Sequence, residues 1–319
     1  MLTYILFVVG LALLIKGADW LVKGSSSLAH KLNIPNIIIG LTIVSFGTSL
    51  PELIVSIFAS LAGTTDVGLG TIVGSNISNI ALILGATALI FPLSVRKSTT
   101  WQEIPFSILA ILILWFTVSD NFFNDTTRSI ISRTDGIIYL IFFGLFVAYM
   151  IFVFLKHKKL KLEEEIISVH SPLMISGLII VGLAALYFGG QWVVNGAVEI
   201  ARYFGLSEFV ISATIIAVGT SLPELVTSLV AAFRKNLDLA VGNIVGSNIF
   251  NIFLILGLSS VIQPITATAL ISLDLAYLMG LSLILFAFLF IGKRYELDRW
   301  QGAVFLLIYG GYITFLLIR

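Results

Sequence analysis

The chain contains no cysteine and only three histidines among its 319 residues. Without cysteine there can be no disulfide framework, no thiolate nucleophile and no soft-metal site. The histidines (His30, His157 and His170) fall at the ends of predicted spans or in a loop, which argues against an imidazole-ligated metal inside a membrane. Charge is scarce too. Asp, Glu, Lys and Arg make up 11% of the residues, whereas soluble domains run near a quarter charged. With 58% hydrophobic residues and a mean hydropathy of +1.08, the composition predicts an all-α polytopic membrane protein. Its organisation is therefore counted in spans of ~20 apolar residues, not in soluble domains. A net charge of +1 carries no nucleic-acid signature. The first apolar run begins at Leu2 without a basic leader, and is read as a retained span instead of a signal peptide.

Apolar runs bounded by charged or turn residues predict ten transmembrane helices, near 2–30, 35–61, 67–92, 101–118, 134–155, 172–202, 208–233, 239–263, 269–291 and 299–318. The first and sixth exceed the length a span needs, so tilt or projection beyond the bilayer is expected of them. One linker is strongly charged, with Lys156, Lys158, Lys159 and Lys161 followed by Glu163, Glu164 and Glu165. It divides the chain into a five-helix unit at 1–155, a linker at 156–171 and a second five-helix unit at 172–319. With the amino terminus outside, the inner loops hold twelve Lys and Arg residues and the outer regions hold four. The positive-inside rule then puts both termini outside and the linker in the cytoplasm of a cell-membrane protein.

Gly47-Thr48-Ser49-Leu50-Pro51-Glu52-Leu53 recurs letter for letter as Gly219-Thr220-Ser221-Leu222-Pro223-Glu224-Leu225. The repeat is wider than this segment. Residues 17–92 align with 189–264 without a gap, and 33 of the 76 positions are identical. Five spans separate matching elements, so the copies cross the membrane in opposite directions. An inverted repeat of this kind is the sign of many secondary transporters, with substrate bound near the midplane.

The polar residues kept in both copies are the expensive ones. A carboxylate at membrane depth is by default a functional-site hypothesis, and a proline leaves the carbonyl four residues back without its helix donor. Pro51 and Pro223 therefore predict breaks that free the Gly47 and Gly219 carbonyls. Thr42, Ser45, Ser49, Glu52 and Ser56 share one helical face, matched by Thr214, Ala217, Ser221, Glu224 and Ser228. The third and eighth helices, also expected to be broken, add Ser75 and Asn79, and Ser247 and Asn251, each pair four residues apart on one face. Gly70-x-x-x-Gly74 and Gly242-x-x-x-Gly246 read as helix-packing motifs. Asn76 and Asn248 can hydrogen-bond a neighbouring backbone. Carboxylate, hydroxyl, amide and bare carbonyl are all oxygen ligands, which suit a hard cation such as calcium and suit sodium as well. Lys16, Asp19 and Lys23 read as a local ion-paired stripe, Glu103 and Asp274 as interfacial, and Asn124-Asp125-Thr126 as a glycosylation sequon.

The two Gly-Thr-Ser-Leu-Pro-Glu segments, each followed by Gly-Ser-Asn-Ile-x-Asn at 74–79 and 246–251, resemble the repeats of the cation/calcium antiporters, above all the prokaryotic sodium/calcium exchangers. The resemblance implies antiport of sodium against calcium by alternating access, with the long first and sixth helices sliding as a gate. Carried over by position, Glu52 and Glu224 match the shared carboxylates. Ser49, Ser221, Ser75 and Ser247 match hydroxyl ligands, with Thr48 and Thr220 beside them. Backbone oxygens at Ser45 and Ala217 match sodium sites, and Asn79 matches an amide ligand. Asn251 departs from the pattern, since many relatives carry aspartate there. Implied partners are calcium and sodium ions and the lipid bilayer, with a monomer expected, no other cofactor, no nucleic acid and no enzymatic activity. A calcium/proton antiporter is the alternative, because either glutamate could shuttle protons. A cation channel is the other.

Overall fold

The structure, a computed structural model, describes residues 2–119, 129–157, 170–205, 211, 217–267 and 269–318. Residues 158–169 of the linker, the sequon, Thr214 and most of the first half of the seventh span lie outside the described residues. Among those described, eight helices are long and apolar enough to cross a membrane, and a bent pair makes a ninth. The first helix (Leu2–Leu32) and the sixth (Pro172–Tyr203) run to 31 and 32 residues. The second span is the bent pair, Asn36–Thr48 and Leu50–Leu61, angled by 46° at Ser49. The seventh is described from Ala217–Gly219 onward, continuing as Leu222–Phe233. The third (Val67–Ile90) and eighth (Leu237–Ile262) cross as single helices. The interruption expected in each takes the form of a seven-residue π-helical segment, at Ser78–Leu84 and Phe250–Leu256. Such wide turns leave backbone groups off the regular ladder and recur at functional sites.

Burial sorts the helices into layers. The third and eighth are 72% and 83% buried over their most apolar stretch, against 17% for the fifth (Arg133–Lys156) and 22% for the tenth (Arg299–Ile318). The core is thus built from the motif-bearing helices, and the outer helices present Leu, Ile and Phe to lipid. The tenth packs on the third and the fifth on the eighth, so matching elements have matching neighbours. The first and sixth pack against each other, with Gly10 facing Gly189, Gly17 facing Gly182 and Gly24 facing Ile175. One number rises as the other falls, so these two helices run in opposite directions, as inversion of the repeat requires.

Two small features escape the spacing patterns. Leu93–Ser94 pairs antiparallel with Glu296–Leu297, and Ser129–Ile131 pairs with Ile265–Ala267. Each clips a loop of the first half to one of the second. Strands of two or three residues are too short to show a period of two. Glu103 and Asp274, near span ends, are covered by protein. Each is only 5% exposed, and each carboxylate accepts from a tyrosine: Tyr149 at 2.9 Å for Glu103 and Tyr312 at 3.2 Å for Asp274. Packing of the fifth and tenth helices over them supplies that cover. Asp19 and Lys23 do pair, at 2.8 Å. Asp19 also accepts from Arg234 Nε at 2.7 Å, which ties the first helix to the end of the seventh.

Candidate cation site

Each glutamate lies in the first turn of a short helix that starts after the break. Ser49 and Ser221 occupy the N-cap positions of Leu50–Leu61 and Leu222–Phe233. Proline at the second helical position is tolerated there, since the first N–H groups of a helix have no intrahelical partner. The positive end of the helix dipole favours the carboxylates of Glu52 and Glu224. Both are buried, with 1% of their surface exposed. Among the described residues the ion pairs are Lys23–Asp19, Arg96–Asp238, Arg234–Asp19 and Lys293–Glu296. None involves either glutamate, so nothing there cancels two acidic groups at membrane depth.

The serines cross between the repeats. Ser49 Oγ donates to Glu224 Oε1 at 3.0 Å. Ser221 Oγ donates to Ser75 Oγ at 3.3 Å, and Ser75 Oγ donates to Glu52 Oε1 at 3.2 Å. Thus the N-cap serine of each broken helix reaches toward the glutamate of the other, directly in one case and through Ser75 in the other. Thr48 Oγ1 lies 3.0 Å from Asn243 Oδ1 and also close to the Val44 and Ser45 carbonyls.

Four asparagines close the other side. Asn79 Nδ2 donates to Asn248 Oδ1 at 2.9 Å, and Asn251 Nδ2 donates to Asn76 Oδ1 at 2.8 Å. Asn76 Nδ2 reaches the Asn248 carbonyl at 3.3 Å, so the expected bond from Asn76 to a neighbouring backbone is present. These bonds have a chemical consequence. They engage the amide nitrogens of Asn79 and Asn251, and the buried Oδ1 atoms of both are left without a hydrogen bond. Glu52 Oε2, Glu224 Oε2, Thr220 Oγ1 and Ser247 Oγ are buried and without one as well. A buried polar atom without a partner costs about 1–3 kcal/mol, and more if charged. These six atoms, contributed by both repeats, are all oxygens, the kind of ligand a hard cation takes. Among the described residues no three His, Asp or Glu side chains are placed to hold one metal ion, so hydroxyl and amide oxygens are needed to complete a shell.

The Asn251 contact yields a test. Asparate at this position has no hydrogen to give Asn76 Oδ1, so Asn251→Asp is expected to cost about 1–3 kcal/mol of stability in the ion-free protein. Thermal unfolding in detergent measures it, and an unchanged midpoint would contradict the bond.

Backbone oxygens differ between the repeats. The Ser45 carbonyl accepts from Ser49 N at 3.0 Å, while Ser221 N bonds Val218 O at 3.1 Å, one residue short of Ala217. Ser45 Oγ donates to the Thr42 carbonyl at 3.2 Å. The eighth helix comes very close to this stretch: a Cβ on Gly246 would meet Ser45 Oγ at 2.6 Å, and one on Gly242 would meet the Ile37 carbonyl at 2.8 Å. The Gly242-x-x-x-Gly246 motif is therefore a packing motif in the structure. The segment expected to pack on Gly70 and Gly74 lies outside the described residues.

Asn243, a polar residue of the eighth helix outside the expected ligand set, bonds to both broken helices. A signal for it was available: within Gly70–Ile77 and Gly242–Ile249 the repeats differ at one position, Thr71 against Asn243.

Comparison with known proteins identifies the family. The family described as "Sodium/calcium exchanger protein" matches residues 2–152 and 174–318. The sodium/calcium exchanger MaX1 of Methanosarcina acetivorans is 31% identical, over 98% of each chain. The inner membrane protein YrbG of Escherichia coli is 37% identical, over 98% of this chain and 94% of its own. Among solved structures, the sodium-calcium exchanger NCX_Mj soaked with 10 mM Na+ and zero Ca2+ superposes with a TM-score of 0.82 at 34% identity, covering 98% of both chains. The buried acidic pair, the two breaks and the match along nearly the whole length lead to one conclusion: this chain belongs to the sodium/calcium exchanger family.

Proposed function

We propose that the chain exchanges sodium for calcium across the cell membrane, holding the ions between its two inverted halves. The observation that carries this is the pair of buried glutamates, each with one oxygen lacking any hydrogen bond and neither paired with a cationic side chain among the described residues. Uncompensated buried charge costs several kcal/mol per ion, and a cation between the carboxylates removes that penalty. The ligands are Glu52 and Glu224, the hydroxyls of Ser49, Ser221, Ser75, Ser247, Thr48 and Thr220, the amide oxygens of Asn79 and Asn251, and the backbone oxygens of Ser45 and Ala217. Calcium is the better match for two carboxylates with neutral oxygens, since it accepts 6–8 ligands in forgiving geometry.

Charge sets the mechanism. One calcium neutralises the two glutamates, whereas three sodium ions leave the site one charge positive. Exchange of three for one then moves a charge each cycle, worth ~2.3 kcal/mol per 100 mV. Three sodium ions falling through a tenfold gradient add about 4 kcal/mol, at ~1.4 apiece. Together these support a calcium gradient on the order of 10⁴ to 10⁵. The protein works as a monomer in the bilayer, with both termini outside and the charged linker in the cytoplasm, as the distribution of Lys and Arg supports.

The test is flux in proteoliposomes. An outward sodium gradient is expected to drive radiolabelled calcium inward, and an inside-negative potential is expected to slow that uptake, because net positive charge leaves with the sodium. Uptake driven equally well by a proton gradient without sodium would overturn the sodium assignment in favour of calcium/proton antiport. Calcium conductance with no counter-ion requirement would indicate a channel.

A further inference from the structure

Asn243 is fully buried, and every hydrogen-bonding atom of its side chain is engaged. Its Nδ2 donates to the Glu224 carbonyl at 3.4 Å and to Ser228 Oγ at 3.1 Å. Its Oδ1 lies 3.0 Å from Thr48 Oγ1 and is the nearest of three acceptors for that hydroxyl's single hydrogen, ahead of the Val44 carbonyl at 3.1 Å and the Ser45 carbonyl at 3.3 Å. A backbone carbonyl can only accept, so the bond to Glu224 sets which way the amide points. One side chain therefore ties the last residue before the break in the second span to the glutamate just after the break in the seventh.

The other repeat lacks this tie, although three of its four parts are present. Glu52, Ser56 and Thr220 correspond to Glu224, Ser228 and Thr48. Thr71 stands in place of Asn243, and its hydroxyl gives its single hydrogen to the Val67 carbonyl of its own helix, at 2.8 Å. Ser56 Oγ is paired with Ser259 Oγ instead, at 2.8 Å. Thr220 Oγ1 is buried without a hydrogen bond.

We propose that Asn243 is a positioning residue that braces the Glu224 half of the cation site, while no described residue braces the Glu52 half in the same way. This rests on reading the glutamate pair as the ion site. The chemistry is that of outer-shell support: a ligand whose backbone is held loses less freedom on binding an ion. The braced half offers a preset geometry. The unbraced half is the part that adjusts when one calcium is replaced by several sodium ions. The two Glu-bearing heptapeptides are identical, so this difference between the halves originates outside them, at position 71 against 243.

The experiment uses the full chain, purified, with equilibrium binding of radiolabelled calcium in detergent and sodium-driven uptake in proteoliposomes. Asn243→Thr copies the first repeat. It is expected to raise the calcium concentration for half-maximal binding and uptake about tenfold, as loss of buried hydrogen bonds to ligand-bearing segments would, with maximal uptake within about twofold. Thr71→Asn supplies the missing brace, and is expected to lower half-saturation about threefold and slow turnover. In the double variant the brace is moved to the other half, and half-saturation is expected to return to within about threefold of wild type. Unchanged half-saturation in Asn243→Thr overturns the role. So does a parallel fall in affinity, maximal uptake and melting temperature that Thr71→Asn fails to rescue, since that marks a merely structural residue. If Asn243→Thr does not fold, Thr71→Asn alone decides, and no shift in its calcium affinity overturns the proposal. Wild-type protein that binds no calcium overturns the ion reading itself. Wild-type binding with an indifferent Asn243→Thr overturns only the brace.

Discussion

Glu52→Gln and Glu224→Gln are each expected to reduce sodium-driven calcium uptake about a thousandfold, while the ion-free protein stays as stable as wild type or gains stability. The two halves of this expectation come from the same physics. Each carboxylate supplies half of the negative charge facing the ion. Two unit charges 4 Å apart at an effective dielectric of 20 interact by about 4 kcal/mol, which is about three powers of ten in an equilibrium constant. Calcium is divalent and binds oxygen at about 2.3–2.6 Å, so this magnitude is a lower figure for it. Glutamine keeps the shape and one acceptor oxygen for the serine that donates to each glutamate, Ser75 for Glu52 and Ser49 for Glu224. It removes a buried charge that no cationic side chain among the described residues offsets. Removing such a charge is neutral or stabilising, whereas breaking a true ion pair costs about 3–5 kcal/mol. Thermal unfolding in detergent therefore separates the roles. Wild type is expected to gain about 2.7 kcal/mol from calcium at a hundred times its dissociation constant, and neither variant is expected to respond at that concentration. A large loss of stability in the ion-free variants would make the glutamates structural.

Gly242→Leu is expected to destabilise the protein by about 3 kcal/mol or more and to abolish transport with it. The second and eighth helices meet at this glycine. A Cβ there would lie 2.8 Å from the Ile37 carbonyl, 3.0 Å from Leu41 N and 3.1 Å from Gly40 Cα. All three are backbone atoms, which cannot swing aside as a flexible side chain would, so the helices themselves must separate. In a bilayer, helices associate through close packing and interhelical hydrogen bonds, which makes small residues at the crossing essential. Separation would also pull Thr48 from Asn243 and Ser49 from Glu224, bonds of 3.0 Å each. Gly311 is the control, being exposed on the tenth helix with nothing within 4 Å of an added Cβ. Gly311→Ala is expected to leave the melting temperature unchanged or slightly raised, because alanine reduces the freedom of the unfolded chain. Equal behaviour of the two variants would remove the close crossing as an explanation.

Much of the architecture was legible in order and identity along the chain. Scarce charge and long apolar runs set the class, and the five-span separation of two matching segments set the inversion. Pro51 and Pro223 marked the breaks, because the chemistry of a missing N–H is the same wherever it occurs. Glu52 and Glu224 stood out because a membrane-depth carboxylate has a cost that needs no structure to recognise. Partnership across the repeats was a matter for the tertiary structure. Spacing could group Ser49 with Glu52 on a helical face, but the bend at Ser49 turns that serine to Glu224 instead. It could present Asn79 and Asn251 as amides, but only the packing of the third helix on the eighth brings up Asn248 and Asn76 to engage their nitrogens and leave their oxygens bare. The burial of Glu103 and Asp274 belongs here too, since a position near the end of an apolar run says nothing about which helix lies over it. Local chemistry along the chain determined which residues are costly and that they occur twice in opposite sense. Three-dimensional packing alone decided which of them face one another, because hydrogen bonds between segments 170 or so residues apart depend on helix crossings that no local pattern encodes.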